Sequence, residues 1–99
     1  MNRVKETIAN ALKAFESNNF ELFIKELLTF RTEVLKIDPA LLDLGLVDLI
    51  MDENVWIWAI SAISREPTDF DWEAAGFIAA DLKDTLLNMD IEMDNVVNG

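Results

Sequence analysis

Between Asp69 and Asp84 the chain reads DFDWEAAGFIAADLKD, a run in which carboxylates alternate with large aromatics and then recur at helical spacing. Two kinds of chemistry use residues of this type. A pair of carboxylates can exchange protons with a substrate, and a set of carboxylates around an aromatic can hold a cation or a basic surface. Histidine and cysteine are both absent. The commonest general base, the thiolate nucleophile and the usual soft metal ligands are therefore missing, and so is any disulfide. Carboxyl-pair catalysis also needs a substrate cleft, for which short helices around a 99-residue core leave little room. The reading is a protein that is not an enzyme and carries no catalytic or cofactor-binding residue. No metal ligand is expected either. Asp90, Glu92 and Asp94 imitate the start of a calcium loop, but its glycine at position six and its closing glutamate are lacking.

Binding is the better use of these groups. On a helical wheel centred on Ala75, Phe77 points about 160° away from the core. Its neighbours on that side are Glu73, Asp81 and Asp84. An aromatic ringed by acids on a solvent face can anchor a basic partner while the acids orient it. Asp69 and Asp71 lie at the start of the same helix, where acids also favour the positive end of the dipole. Trp58 lies about 160° from Trp56 on the preceding helix, so the two cannot enter one core from one side. The candidate partner-binding set is therefore Trp58, Asp69, Asp71, Glu73, Phe77, Asp81 and Asp84.

The elements that must position these residues are helical almost throughout. Val4, Ile8, Ala11, Leu12 and Phe15 predict a first helix over about 3–17, ended by the SNN of 17–19, with Asn19 able to cap the next. Phe20, Phe23, Ile24, Leu27, Phe30, Val34 and Leu35 give a second over about 20–36. Arg31 sits in the middle of that face. Its head either snorkels to water or is buried against an acid such as Asp43 or Asp48. Asp38 and Pro39 form a helix-start signal. The leucines from 41 to 49 go right round a helix, with Gly45 expected to break it as a left-handed cap. A fourth helix runs over about 53–65, capped by Asp52, with Val55, Trp56, Ala59, Ile60 and Ile63 inward. A strand pair is the alternative for NVWIWAISAI, and its alanines and serine favour helix. Thr68 and Asp71 have capping-box spacing. The fifth helix then runs to about 89 with Ala75, Ile78, Ala79, Leu82, Leu86 and Met89 inward. The fold class is all-α, a single compact domain of four to five short helices over 1–89, with 90–99 as an acidic, loosely docked or frayed tail.

Charge separates the two halves. Residues 1–36 hold six bases and five acids, and residues 37–99 hold two bases and fourteen acids, within a total of −11. Direct nucleic-acid binding needs the opposite sign. The longest apolar stretch, VWIWAISAI, is far short of the ~20 residues of a membrane span, and the amino terminus lacks a signal-peptide core. The expectation is a soluble cytoplasmic protein without a membrane partner.

The stretches FELFIKELLTFRTEVL (20–35), DLGLVDLIMDE (43–53) and DFDWEAAGFIAADLKDTLLNM (69–89) together resemble those of small acidic bacterial toxin-immunity proteins, of the colicin or contact-dependent growth inhibition kind. The resemblance spans most of the chain. It implies a helical inhibitor that neutralises a toxin, often a tRNA- or DNA-cutting nuclease. The expected partner is then a basic nuclease toxin domain, bound by a monomer in a 1:1 complex. Two other readings use the same residues. One is a nucleic-acid mimic of phage origin, an antirestriction or anti-CRISPR protein with acids as surrogate phosphates. The other is a helical scaffold or adaptor, such as a homodimer whose exposed aromatics meet a partner helix.

Overall fold

The computed structural model describes the backbone of residues 2–38, 40, 42 and 44–98, and among these the side chains between residues 3 and 88. The protein is all-α, and among the described residues five helices follow in the order α1 (Asn2–Glu16), α2 (Phe20–Val34), α3 (Leu44–Met51), α4 (Glu53–Ala62) and α5 (Asp69–Asn98). The NVWIWAISAI segment is helical, as its alanines favour. No helix is long and apolar enough among the described residues to cross a membrane.

The α1–α2 hairpin forms the body of the core. SNN does end α1. Asn18 takes the left-handed conformation at φ 58°, its N–H donates to the Phe15 carbonyl, and that of Asn19 reaches back to Ala14. This is a Schellman closure, with asparagine where glycine is commonest. Asn19 also caps α2, its side chain accepting from the Leu22 N–H at 3.2 Å. One stripe of each helix meets the other. Val4, Ile8 and Ala11 lie against Phe20, Phe23, Ile24, Leu27, Phe30 and Val34, all buried in one cluster. Each large side chain buried there contributes about 1.5–3 kcal/mol relative to exposure.

Three expectations are corrected. Leu35 is exposed: it is the C-cap of α2, still in helical conformation, and at 100° per residue it falls at the edge of the face that Phe23, Leu27, Phe30 and Val34 bury. Gly45 does not break a helix: no glycine among the described residues has positive φ, and Gly45 sits in the first turn of α3. The interruption falls earlier, where Asp38 accepts from the Ala40 N–H at 3.0 Å; Pro39, Leu41 and Asp43 lie outside the described residues. Ile60 is exposed, and Ala62 takes the inward position on α4 instead.

Asp52 separates α3 from α4. Its carboxylate accepts from the Asn54 N–H at 3.2 Å, as the expected cap. Trp56 then reaches back to the end of α3, its Nε1 donating to the Ile50 carbonyl at 2.9 Å. Ala75, Ile78, Ala79 and Leu82 bury the inner face of α5, and α5 packs mainly on α1. Its backbone stays helical to Asn98, past the expected end near 89. The side chains of the tail, and of Met89, lie outside those described.

Arg31 takes neither of its two expected arrangements in pure form. Its guanidinium lies over Trp56, 5.5 Å from the ring centroid, while Nε is buried without an acceptor among the described residues. No ion pair joins it to Asp48.

Candidate functional site

The start of α5 is built on Thr68 and Asp71. The Thr68 N–H donates to Asp71 Oδ2 at 2.8 Å and the Asp71 N–H donates back to Thr68 Oγ1 at 3.2 Å, a reciprocal cap. The same carboxylate does more. Arg65 grips it with two guanidinium nitrogens, one of them donating to Oδ1 at 3.0 Å, and Trp58 Nε1 donates to Oδ1 at 2.9 Å. Asp71 is fully buried. The Arg65 guanidinium holds its carboxyl well below the usual aspartate range, against the opposing effect of burial, with the Thr68 and Trp58 donors adding to it. The hydrogen bond to Asp71 in turn raises Arg65.

Trp58 and Asp71 are thereby withdrawn from the candidate surface. Trp58 is half-buried and stands edge-on to Phe20 at 6.1 Å. It answers the two-tryptophan question: α4 is covered on two sides, by α2 over Trp56 and by the turn into α5 over Trp58. Trp72 lies in the same aromatic cluster, 5.3 Å from Phe20 and 6.0 Å from Phe15.

The remaining candidates stay on the surface. Phe77 is 69% exposed, and Asp69, Glu73, Asp81 and Asp84 are exposed. Three of them, Phe77, Asp81 and Asp84, share one face of α5 at i, i+4 and i+7 and line a cleft of about 550 Å³. The opposite wall is α3 and the start of α4. It supplies Asp48 and Asp52, spaced like Phe77 and Asp81, while Leu49, Val55 and Ile78 form an apolar floor. Glu73 and Asp69 lie outside this cleft.

Asp48 and Asp52 are functional candidates that sequence reasoning assigned elsewhere, one to Arg31 and one to a cap. Their i, i+4 spacing was the available signal. That it faces Asp81 and Asp84 depends on how α3 docks on α5, which no local pattern encodes.

The cleft concentrates negative charge. No ion pair among the described residues engages Asp48, Asp52, Asp81 or Asp84. Like charges above an apolar floor focus the field into the cleft and raise the local concentration of cations. No group of three or more acids among the described residues is placed to hold a metal ion. Proton transfer by a carboxyl pair asks for one member enclosed by apolar groups, and all four cleft carboxylates are exposed. What the arrangement can do is receive the long aliphatic stem and charged head of a lysine or arginine, with Phe77 beside it.

Comparison with family models, with curated proteins and with solved structures finds no match to this chain.

Proposed function

We propose that the protein is an inhibitor, of the immunity type, that binds a basic protein through the cleft between α3–α4 and α5, and that the partner is a nuclease toxin domain. The observation that carries this reading is the meeting of four exposed carboxylates, without an ion pair among the described residues, with an apolar floor and an exposed phenylalanine. A nuclease must present a basic surface to phosphates, and an acidic cleft is its complement. The acids steer encounter and Phe77 slows release.

The test uses the tagged protein as bait in lysate of its source cells at low and high salt, followed by nuclease assays on what is retained. The expected result is one basic protein, released by salt, whose nuclease activity falls when the inhibitor is added. Charge reversal of Asp48, Asp81 and Asp84 together is expected to slow association tenfold or more while leaving helix content unchanged, about 1.4 kcal/mol. Asp52 is left out because it caps α4. Phe77→Ala is expected to act mainly on dissociation, by about 1–2 kcal/mol. Retention of nothing basic at either salt, or a triple variant that associates as fast as the parent, would remove this reading.

A further inference from the structure

A second surface shares no lining residue with the acidic cleft. Arg31 and Leu35 at the end of α2, Met51 at the end of α3, and Glu53, Ile57 and Ile60 along α4 border a groove of about 350 Å³ floored by Trp56. Leu35, Met51, Ile57 and Ile60 are between 58% and 72% exposed. Single exposed apolar residues are ordinary, but a contiguous set around a groove marks a contact surface. Two charges sit among them. Neither Arg31 nor Glu53 forms an ion pair among the described residues.

We infer that this groove is the contact face of a symmetric homodimer. A patch with an apolar centre, one cation and one anion is its own complement under a two-fold axis. The axis lays the four apolar side chains of one copy on those of the other and exchanges the charged edges. Arg31 of each copy then meets Glu53 of its mate. A second copy supplies the matching acid by symmetry, where an unrelated protein would need one placed for the purpose.

Four such side chains present on the order of 400 Å² of apolar surface per copy, so that with its rim the pair buries about 1,000–1,200 Å², the low end of specific interfaces. The dimer is therefore weak. Two chains of −11 also repel each other. The groove draws its α2 edge from the half of the chain that is close to neutral, which limits this repulsion at the contact. Added salt strengthens the dimer by screening the whole-molecule repulsion, whereas it weakens binding at the acidic cleft. The two surfaces are thus separable by one variable, and the dimer stands or falls without reference to the inhibitor reading. It replaces the expected monomer, and it differs from a dimer through Trp58 or Phe77 because neither lines the groove.

Sedimentation equilibrium of the full chain, from about 1 to about 500 µM at low and high salt, tests this. The expected mass rises from 11.2 kDa toward twice that value, at lower concentration when salt is high. Ile57→Glu, at an exposed helical position, is expected to weaken association at least tenfold with helix content unchanged. Glu53→Arg does the same, and adding Arg31→Glu to it restores association by swapping the pair. Should the Arg31 change prevent folding, the Ile57→Glu and Glu53→Arg variants decide alone. A chain that keeps the monomer mass at every concentration overturns the inference. So does a dimer indifferent to Ile57→Glu, or one that associates only with a different protein through this groove.

Discussion

At Asp71 a surface-type residue has been taken into the interior and given five donors: two from Arg65, one from Trp58, and the backbone and hydroxyl of Thr68. A buried carboxylate is costly unless every lone pair is engaged, and here a local cap is extended by two residues from the preceding helix and turn. The energetic consequence depends on pH with a definite sign. Its folded pKa lies below the ordinary value of 3.8, so its contribution is present above that value and is lost as pH falls below it. Asp71→Asn is expected to lower stability at neutral pH by on the order of 2 kcal/mol. The gap between parent and variant stays flat from about pH 5 to pH 8 and closes in acid below about pH 4. Thermal melts across that range check it; a gap that persists undiminished in acid would mean the charge on Asp71 contributes nothing. The spacing Thr68-x-x-Asp71 made the cap legible in advance. The Trp58 and Arg65 partners were not, because they come from residues thirteen and six positions away whose approach is set by the turn at 63–68.

At the scale of elements, α5 contains a glycine in mid-helix that its surroundings do not require. A methyl group built on Gly76 would meet only the Phe15 ring tip, at an ordinary 3.8 Å. Gly76→Ala is thus expected to stabilise the protein by about 0.5–1 kcal/mol, read as a raised denaturation midpoint with an unchanged slope. A fall in stability would mean that α1 and α5 are packed too closely for the methyl. Periodicity located α1, α2, α4 and α5 because each buries one stripe; the leucines from 41 to 49 show no single stripe, and α3 begins at Leu44, beside the glycine expected to end a helix. It misjudged their ends where packing, not propensity, decides. Leu35 and Ile60 have the right residue type for a core but fall one step outside it. Gly45 has the type of a cap, yet the break is set upstream by the turn after Asp38. The candidate site was half legible for the same reason: Phe77, Asp81 and Asp84 share a face of a single helix, which a wheel can show, whereas Asp48 and Asp52 join them only through tertiary docking.

Over the whole molecule the charge is one-sided, with net −12 on residues 37–99. Such a field favours encounter with a basic partner and opposes the folded state through self-repulsion. Raising ionic strength from about 0.01 M to about 0.1 M shortens the screening length from about 30 Å to about 10 Å. Tm, measured in dilute protein to keep association out, is expected to rise, by about 4–8 °C for each ~1 kcal/mol of repulsion relieved. The charge-reversed triple variant of the cleft should rise less. A Tm that does not respond to salt would show that the acids are compensated locally.

The three tryptophans carry a further consequence. Trp56 Nε1 is held by the Ile50 carbonyl, that of Trp58 by Asp71, and that of Trp72 has no acceptor among the described residues. Each indole proton is thus guarded by a different piece of structure: the α3–α4 junction, the knot at the start of α5, or nothing beyond the aromatic cluster. Exchange of these protons with heavy water becomes a set of three clocks, and the order in which they run down is the order in which the parts of the molecule open.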